Sequence, residues 1–203
     1  LGTFNESSIR MADAAFAASG AFHIEVGENN RMLGHEYFRA EQKQMRNSLK
    51  RSLKDHYQFI TAYENILFDP DVRNVDSGHQ FIEIESYRTS GDASGGTVWT
   101  YIKRTDERDI IHLINLLKND GEWRNPAEYP TILENLTVKY YTNNSFSSLY
   151  VASPGRNEGV PTELDYTVGN DENGRYIKFN VPKLKYWDLI FAKRSNSSIK
   201  DIY

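Results

Sequence analysis

The sequence predicts an α/β segment followed by an all-β antiparallel sandwich, and three observations lead to this prediction. Apolar residues recur at helical spacing in two stretches before residue 68. A short run of alternating apolar and polar residues, 22–26, lies between those stretches. From Asp69 onward the helical period disappears, and short β-like runs are separated by turn residues. The chain therefore changes structural class near residue 69.

Both helical stretches show an apolar stripe with a repeat of three or four residues. In the first, residues 5–19, the stripe contains Ile9, Ala12, Ala15 and Phe16, and Gly20 marks the end. The second stretch predicts a long amphipathic helix, whose stripe is formed by Met45, Leu49, Leu53, Tyr57, Ile60, Tyr63 and Leu67.

A single helix–strand–helix unit cannot close a sheet or bury both of its own faces. Residues 1–68 are therefore expected to be the last helix–strand–helix of a (β/α)8 barrel. The earlier strands of that barrel are expected upstream of this chain and would be its partner. The first residue is Leu1 rather than Met, which fits this expectation. Such a segment is an α/β fragment that needs the rest of its domain.

Residues 69–203 predict the sandwich, of Greek-key type. Turns occur at the spacing typical of such domains. Asp171 to Gly174 is the clearest hairpin turn, and Pro182 should end its strand or lie at an edge. The glycine-rich stretch 91–96 lacks the flanking residues of a phosphate loop and predicts a hairpin connection. The predicted strands are 79–87, 97–104, 109–117, 132–141, 146–153, 162–168, 175–181 and 185–193.

Composition excludes several classes of function. The net charge is −4 with 24 basic and 28 acidic residues, so no basic field favours nucleic acid as a partner. No apolar run is long enough to predict a membrane span. The chain has no cysteine, which excludes disulfides and thiolate catalysis. The five histidines share no metal-ligand spacing, so neither a metal nor another cofactor is expected.

The run 22–26 and the Gly27 loop that follows it form the strongest chemical candidate. A parallel strand that ends in a glycine-containing loop projects polar side chains at the edge where α/β sites are built. His23 and Glu25 lie on one face of that strand, where they could bind sugar hydroxyls or take part in acid–base chemistry. A buried polar pair inside a barrel is the alternative interpretation.

A second candidate lies in the polar loop that follows Asn115. There, Trp123 can offer a flat face to a sugar ring, while Arg124 and Asn125 can bind its hydroxyls. The alternative, equally supported by the residues, is that Trp123 caps the sandwich core.

Several stretches together resemble glycoside hydrolase family 66, the dextranases and cycloisomaltooligosaccharide glucanotransferases. They occur in the family's order along nearly the whole chain, which makes the set specific. The matching stretches are MADAAFAASG (11–20), HIEVGE (23–28), EYF (36–38), YQFITAYENIL (57–67), HLINLL (112–117), WRN (123–125), VKYY (138–141), YVASP (150–154) and VPKLKYWD (181–188).

The resemblance implies a parent enzyme with a catalytic barrel and a C-terminal sandwich, acting on α-1,6-glucan or isomalto-oligosaccharide by a retaining mechanism. Its Asp nucleophile and Glu acid/base are implied on earlier barrel strands, so no catalytic residue is expected in this chain. His23, Glu25 and Glu28 would face the sugar cleft from the last barrel strand, with Asn115 and Trp123 reaching it from the sandwich. The family often has Trp-Arg-Asp where this chain has Asn125 as the third residue, so a role that needs a carboxylate there is not carried over.

An endo-dextranase-like hydrolase, secreted or on a bacterial cell surface, is thus the first functional hypothesis. A non-catalytic sandwich that binds glucan or braces another domain is one alternative. A cyclising glucanotransferase is the other, because exclusion of water from the cleft decides between transfer and hydrolysis.

Overall fold

The computed structural model describes residues 2–35, 38–39, 43–120, 122 and 125–195. Its α-helices are α1 (Glu6–Ser19), α2 (Asn47–Ala62) and α3 (Glu64–Leu67). Short 3₁₀ turns occupy Glu28–Asn30, Gly78–Phe81 and Asn157–Gly159. The strands are β1 (Gly2–Thr3), β2 (Leu33–His35), β3 (Phe38–Arg39), β4 (Lys43–Gln44), β5 (Arg73–Asn74), β6 (Ile82–Ile84), β7 (Thr89–Ser90), β8 (Val98–Arg104), β9 (Arg108–Asn115), β10 (Leu133–Tyr141), β11 (Phe146–Ala152), β12 (Thr162–Glu163), β13 (Tyr166–Asp171), β14 (Gly174–Leu184) and β15 (Trp187–Arg194).

The predicted sandwich is confirmed. One sheet has the strand order β13-β14-β10-β6, and the larger sheet has the order β12-β11-β15-β9-β8-β5, with β7 paired to β8. The long neighbours pair antiparallel, as in β8 with β9 and β10 with β14. Apolar side chains from both sheets, including Ile111, Val138 and Ile177, form one core between them. The Greek-key detail stays a prediction.

Both predicted helices are present, and their local chemistry accounts for their ends. The Asn5 side chain accepts a hydrogen bond from the Ser8 amide at the start of α1 (2.8 Å). Gly20 ends α1 with φ of 89°, a left-handed conformation that suits glycine. The second predicted helix is divided at Tyr63, where α2 ends and α3 begins.

The helices pack on the outer face of the larger sheet and make a third layer. Met11, Ala14 and Phe59 from the helices share a core with Ile110 and Leu189 from the sheet. For this reason β9 is buried on both faces and contains a nearly continuous apolar run instead of an alternating one. The predicted division of the chain at residue 68 stays a prediction, and this core crosses it.

Two local predictions were wrong. Residues 22–26 do not form a paired strand, because among the described residues their backbone has only a single bridge, between Val26 and Met32. The stretch 91–96 is not a hairpin connection, because β7 and β8 run parallel to each other. By contrast, Asp171 pairs with Gly174 across the predicted hairpin turn. No helix in the described part of the chain combines the length and apolarity needed to cross a membrane.

Candidate functional site

The segment that follows α1 has two different faces. Three apolar side chains on alternating positions are exposed to solvent, Phe22 at 64%, Ile24 at 76% and Val26 at 46%. We call these three residues the apolar strip. The side chains between them, His23 and Glu25, turn instead toward α1. The segment therefore alternates as a strand does, with one face covered by α1 and the other largely exposed, where the Phe22 ring contacts Phe68.

A cluster of three titratable side chains forms where this segment meets α1. His23 Nδ1 lies 3.1 Å from Asp13 Oδ1 and 3.4 Å from Glu25 Oε2. Both carboxyl groups are buried, with Asp13 exposed by only 1% and Glu25 by 5%. Asp13 Oδ2 and Glu25 Oε1 have no hydrogen-bond partner among the residues that the structure describes. The His23 imidazole is thus in contact with both buried carboxyl groups.

Burial controls the protonation of this cluster. Loss of solvation raises the pKa of Glu25 to about 8, and the nearby charge of Asp13 contributes in the same direction. The hydrogen bond that Asp13 accepts from the His23 ring raises the pKa of His23, against the effect of its partial burial. Near neutral pH the arrangement therefore favours a neutral Glu25, and the raised pKa of His23 favours the charged form of its imidazole.

The same cluster is the place where the described residues could hold a metal ion. Asp13, His23 and Glu25 each offer one ligand atom, and these atoms lie within 4.8 Å of one another. Two carboxylate oxygens and an imidazole nitrogen are a donor set that several divalent metals accept. The contacts of His23 with Asp13 and Glu25 account for the same proximity without an ion, so the expectation of no metal stays a prediction.

His23 and Glu25 point toward α1 in the structure. The resemblance implied that they face the sugar cleft. In a (β/α)8 barrel the helix-facing side of a strand points away from the barrel interior, because the helices form the outer ring. Glu28 is exposed at the start of a 3₁₀ turn. Sugar binding by these three residues stays a prediction.

Asn115 has a structural environment. It is buried at the end of β9, where its Nδ2 donates to the backbone carbonyls of Thr131 (2.7 Å) and Lys185 (3.0 Å). Its Oδ1 accepts from the Leu117 amide at 3.2 Å. The side chain therefore ties the loop after β9 to the turn between β14 and β15. Its sugar contact stays a prediction.

Trp123 and Arg124 lie outside the described residues, but other residues of the same loop are described. Asn119, Asn125 and Ala127 line a cavity of about 240 Å³ together with Glu25 and residues of α1. The Ala127 amide donates to Ser8 Oγ at 2.9 Å, which fixes this part of the loop on α1. The structure thus brings the described part of this loop next to Glu25, and the reach of Trp123 to a sugar cleft stays a prediction.

Asp13 is the functional candidate that sequence reasoning missed. An acid inside the alanine-rich run 12–18 is the signal that could have found it, because an ionisable side chain on an apolar helix face needs a partner. That partner, His23, is ten residues further on, and only the fold brings the two together.

The fold and site define a β-sandwich with helices docked on one sheet, and a buried acid–imidazole cluster beside an unpaired apolar segment. The family model for glycosyl hydrolase family 66 matches residues 2–191. The chain therefore belongs to that family, and the resemblance found in the sequence is confirmed.

Two characterised relatives and one solved structure sharpen this assignment. A cycloisomaltooligosaccharide glucanotransferase of Niallia circulans is 51% identical over 203 residues, covering 99% of this chain and 21% of the relative. A dextranase of Streptococcus salivarius is 26% identical over 212 residues, covering 93% of this chain and 26% of the dextranase.

The crystal structure of a Paenibacillus sp. cycloisomaltooligosaccharide glucanotransferase complexed with cycloisomaltoheptaose superposes with a TM-score of 0.89 and 50% identity. The match covers 94% of this chain and 28% of that protein. The chain thus spans about a fifth to a quarter of the length of the curated relatives it matches.

Proposed function

We propose that this chain is the C-terminal part of a glycoside hydrolase that acts on α-1,6-glucan or isomalto-oligosaccharide. The observation that carries the proposal is its 51% identity, over 99% of its length, to a cycloisomaltooligosaccharide glucanotransferase. The substrate polymer is too large to enter a cell intact, so we place the enzyme outside the cell or on a bacterial surface.

The solvent exposure of the apolar strip supports the proposal of an upstream barrel. Ile24 is exposed by 76%, whereas side chains of this type stabilise a protein by about 1.5–3 kcal/mol when they become buried. The backbone of residues 22–25 is also largely unpaired among the described residues. Neighbouring parallel strands would bury this face and pair this backbone, as in a complete barrel. The chain would then supply the last strand.

The geometry favours catalytic carboxyl groups elsewhere in the parent. A raised pKa is what a general acid needs, and Glu25 has one. A retaining glycosidase, however, places its two carboxyl groups about 5–5.5 Å apart across an open sugar-binding cleft. Asp13 and Glu25 are buried against a helix and share one histidine. We therefore assign them a supporting role and expect the Asp nucleophile and Glu acid/base on upstream strands.

Complementation tests the proposal directly. The upstream region of the Niallia circulans relative, ending where its match to this chain begins, is co-expressed with this chain, and release of sugar from dextran is measured. We expect activity from the pair and none from either part. The control replaces this chain with residues 69–195 only, which lack the last barrel strand. Inactivity of the pair, when the uncut relative is active in the same assay, would contradict the proposal.

The comparisons bear on whether the enzyme hydrolyses or cyclises. Identity is 51% to the glucanotransferase but 26% to the dextranase, over nearly the whole chain in both cases. This difference favours the cyclising alternative over the endo-dextranase-like hydrolase that the sequence suggested first. Mass spectrometry of the products decides, because a cyclic product is lighter by one water than the linear product of equal length and has no reducing end.

A further inference from the structure

A cavity of about 360 Å³ opens at one end of the sandwich. Its wall is formed by the end of β8, the turn between β10 and β11, the hairpin turn between β13 and β14, and Phe81. The volume is within the range of about 300–1,000 Å³ that is typical of small-molecule sites. The cavity shares no lining residue with the acid–imidazole cluster or with the apolar strip, so it is separate from the site described above.

The wall of this cavity is polar and basic. Two arginines, three asparagines, a threonine, a glycine and two aromatic residues line it, and no acidic residue among those described does. The chain as a whole has a net charge of −4, so its average composition does not account for such a wall. Guanidinium groups bind carboxylate and phosphate groups through paired hydrogen bonds, and asparagine amides offer further donors. The wall therefore favours an anionic ligand.

Arg175 is held in a fixed position at this wall. Its Nη1 donates to the backbone carbonyls of Thr142 at 2.7 Å and Asn144 at 2.8 Å. These two bonds tie the guanidinium group to the turn between β10 and β11, and they use one of its three nitrogen atoms. Among the described residues, its hydrogen bonds go to carbonyls and not to a carboxyl group. A donor that is already fixed in this way loses little conformational freedom when it binds a ligand.

Arg104, the second guanidinium of the wall, shares its acidic partner with another arginine. Its Nε lies 3.4 Å from Asp109 Oδ1, and its Nη2 donates to the Tyr140 hydroxyl at 3.0 Å. Asp109 also pairs with Arg194, so one buried carboxyl group lies between two arginines. The Arg104 side chain is 36% exposed. An anion in the cavity would thus meet positive charge that Asp109 does not fully balance.

Two other acids lie close to Tyr141, and both are near a lysine. The Tyr141 hydroxyl lies 2.8 Å from Glu83 Oε2 and 3.1 Å from Asp171 Oδ2. Lys139 Nζ is 2.9 Å from the same Asp171 oxygen and 3.9 Å from the Glu83 oxygen. Neither acid lines the cavity. Their charges are therefore offset outside it.

We propose that this cavity is a binding site for a small organic anion, a molecule that carries a carboxylate or phosphate group beside a ring or other apolar part. Arg175 and Arg104 bind the charged group, and the Asn143 amide is a further donor beside them. Phe81, which is 39% exposed, and Tyr141 offer aromatic surface to the rest of the molecule. The inference is independent of the proposed function, because it uses only the residues of this wall.

NMR titration of this chain with phenyl phosphate and with benzoate tests the site, and benzyl alcohol is the matched probe without a charge. We expect saturable shifts of the amides of residues 141–144 and 173–175 with an anion, and none with the alcohol. Added sodium chloride should weaken the binding, because salt screens exposed charges. The anion that binds more tightly identifies the charged group of the ligand as phosphate or carboxylate.

Three variants locate the binding. Asn143→Asp adds an acid to the wall at an exposed position, and Asn180→Asp makes the same change at an exposed position of β14 that does not line the cavity. Arg175→Gln removes the fixed guanidinium group. We expect the affinity for the anion to fall about tenfold in Asn143→Asp and about tenfold or more in Arg175→Gln, and to stay unchanged in Asn180→Asp.

Three results would overturn the inference. They are the absence of a saturable shift with either anion, binding of benzyl alcohol as tight as that of the anions, and equal affinity in Asn143→Asp and Asn180→Asp. If Arg175→Gln melts well below the parent chain, Asn143→Asp decides alone, because it changes an exposed side chain. Complementation measures the proposed function separately, so a cavity that binds no anion leaves that function standing.

Discussion

Asp109 in the sandwich and Glu25 in the segment that follows α1, here called the opening segment (residues 22–26), are both buried carboxyl groups. Their surroundings differ. Asp109 accepts hydrogen bonds from the Tyr140 hydroxyl (2.6 Å) and the Asn144 amide (3.0 Å), and it pairs with Arg194. Glu25 has one histidine, shared with Asp13, and leaves an oxygen without a partner among the described residues. Asp109 thus completes its polar contacts within the described chain, whereas Glu25 does not.

The burial of apolar side chains also differs between these two regions. In β9, which lies in the middle of the larger sheet, Ile111 and Leu113 face the sandwich core while Ile110 and Ile114 face the helices. In the segment that follows α1, the apolar strip is 46–76% exposed, although the Phe22 ring contacts Phe68. The helices thus bury one face against the sheet, whereas the segment between them keeps its apolar strip largely exposed.

The largest effect is expected from cutting the link between the two regions. Trp187 on β15 packs edge-on against Phe59 of α2 at 5.2 Å and donates to His112 Nδ1 at 3.2 Å. Trp187→Ala should lower the free energy of unfolding by about 3–5 kcal/mol. Urea unfolding followed by circular dichroism measures the loss. Trp187→Phe is the control and should lose less stability. An unchanged unfolding midpoint in Trp187→Ala would contradict a stabilising role for this contact between the sheet and α2.

A second effect comes from the raised pKa of Glu25. The unfolded carboxyl has its ordinary pKa of 4.5, and burial raises the folded pKa to about 8, so between these values the folded state holds a proton that the unfolded state has lost. Stability should therefore fall as pH rises from about 4.5 to about 8. Glu25→Gln should flatten that slope in unfolding measured at several pH values. A slope that the variant leaves intact would assign the effect to other groups.

A smaller effect should follow from Asn115→Ala. The substitution removes two hydrogen bonds from the buried Nδ2 group and leaves the carbonyls of Thr131 and Lys185 with one partner fewer. We expect a loss of about 1–3 kcal/mol in chemical unfolding. Asn180→Ala, which removes an exposed hydrogen bond to Thr137, is the matched control and should change stability by less than about 0.5 kcal/mol. Equal losses in both variants would contradict the structural role.

The smallest effect on stability should accompany a large effect on assembly. Ile24→Ser changes an exposed side chain, so the isolated chain should be within about 0.5 kcal/mol of the parent. In complementation, the same change should weaken the pair about tenfold, because the side chain becomes buried there. Val168→Ser is a matched control, since Val168 is 58% exposed on an edge strand of the sandwich. Equal activity of the two variants would show that the apolar strip does not contact the upstream region.

Much of the fold could be predicted because each pattern reports one local cause. The helical stripe of α1 and the hairpin turn at Asp171 arise from neighbouring residues, and both predictions were correct within one or two residues. Pro182 lies inside β14, but β13 pairs only as far as Phe179, so the proline lies where one side of its strand is free. The docking of the helices on the sheet could not be predicted, because that contact joins residues far apart in sequence.

The site was predicted only in part, for the same reason. Alternation alone places His23 and Glu25 on one face, and the structure has them 3.4 Å apart. Which face meets α1 depends on how the chain turns at Gly20, and no local pattern reports that. The structural environment of Asn115 depends on carbonyls 16 and 70 residues further along the chain, which a search for motifs does not consider.

The central claim is that strands of an upstream barrel pair with residues 22–26. Hydrogen exchange across these residues is its most direct test. In the isolated chain, the amides of residues 22–24 should exchange rapidly, while those of 110–114 in β9 stay protected. Adding the upstream region of the relative should protect residues 22–24. Strong protection of these amides in the isolated chain, or none in the assembled pair, would contradict the account.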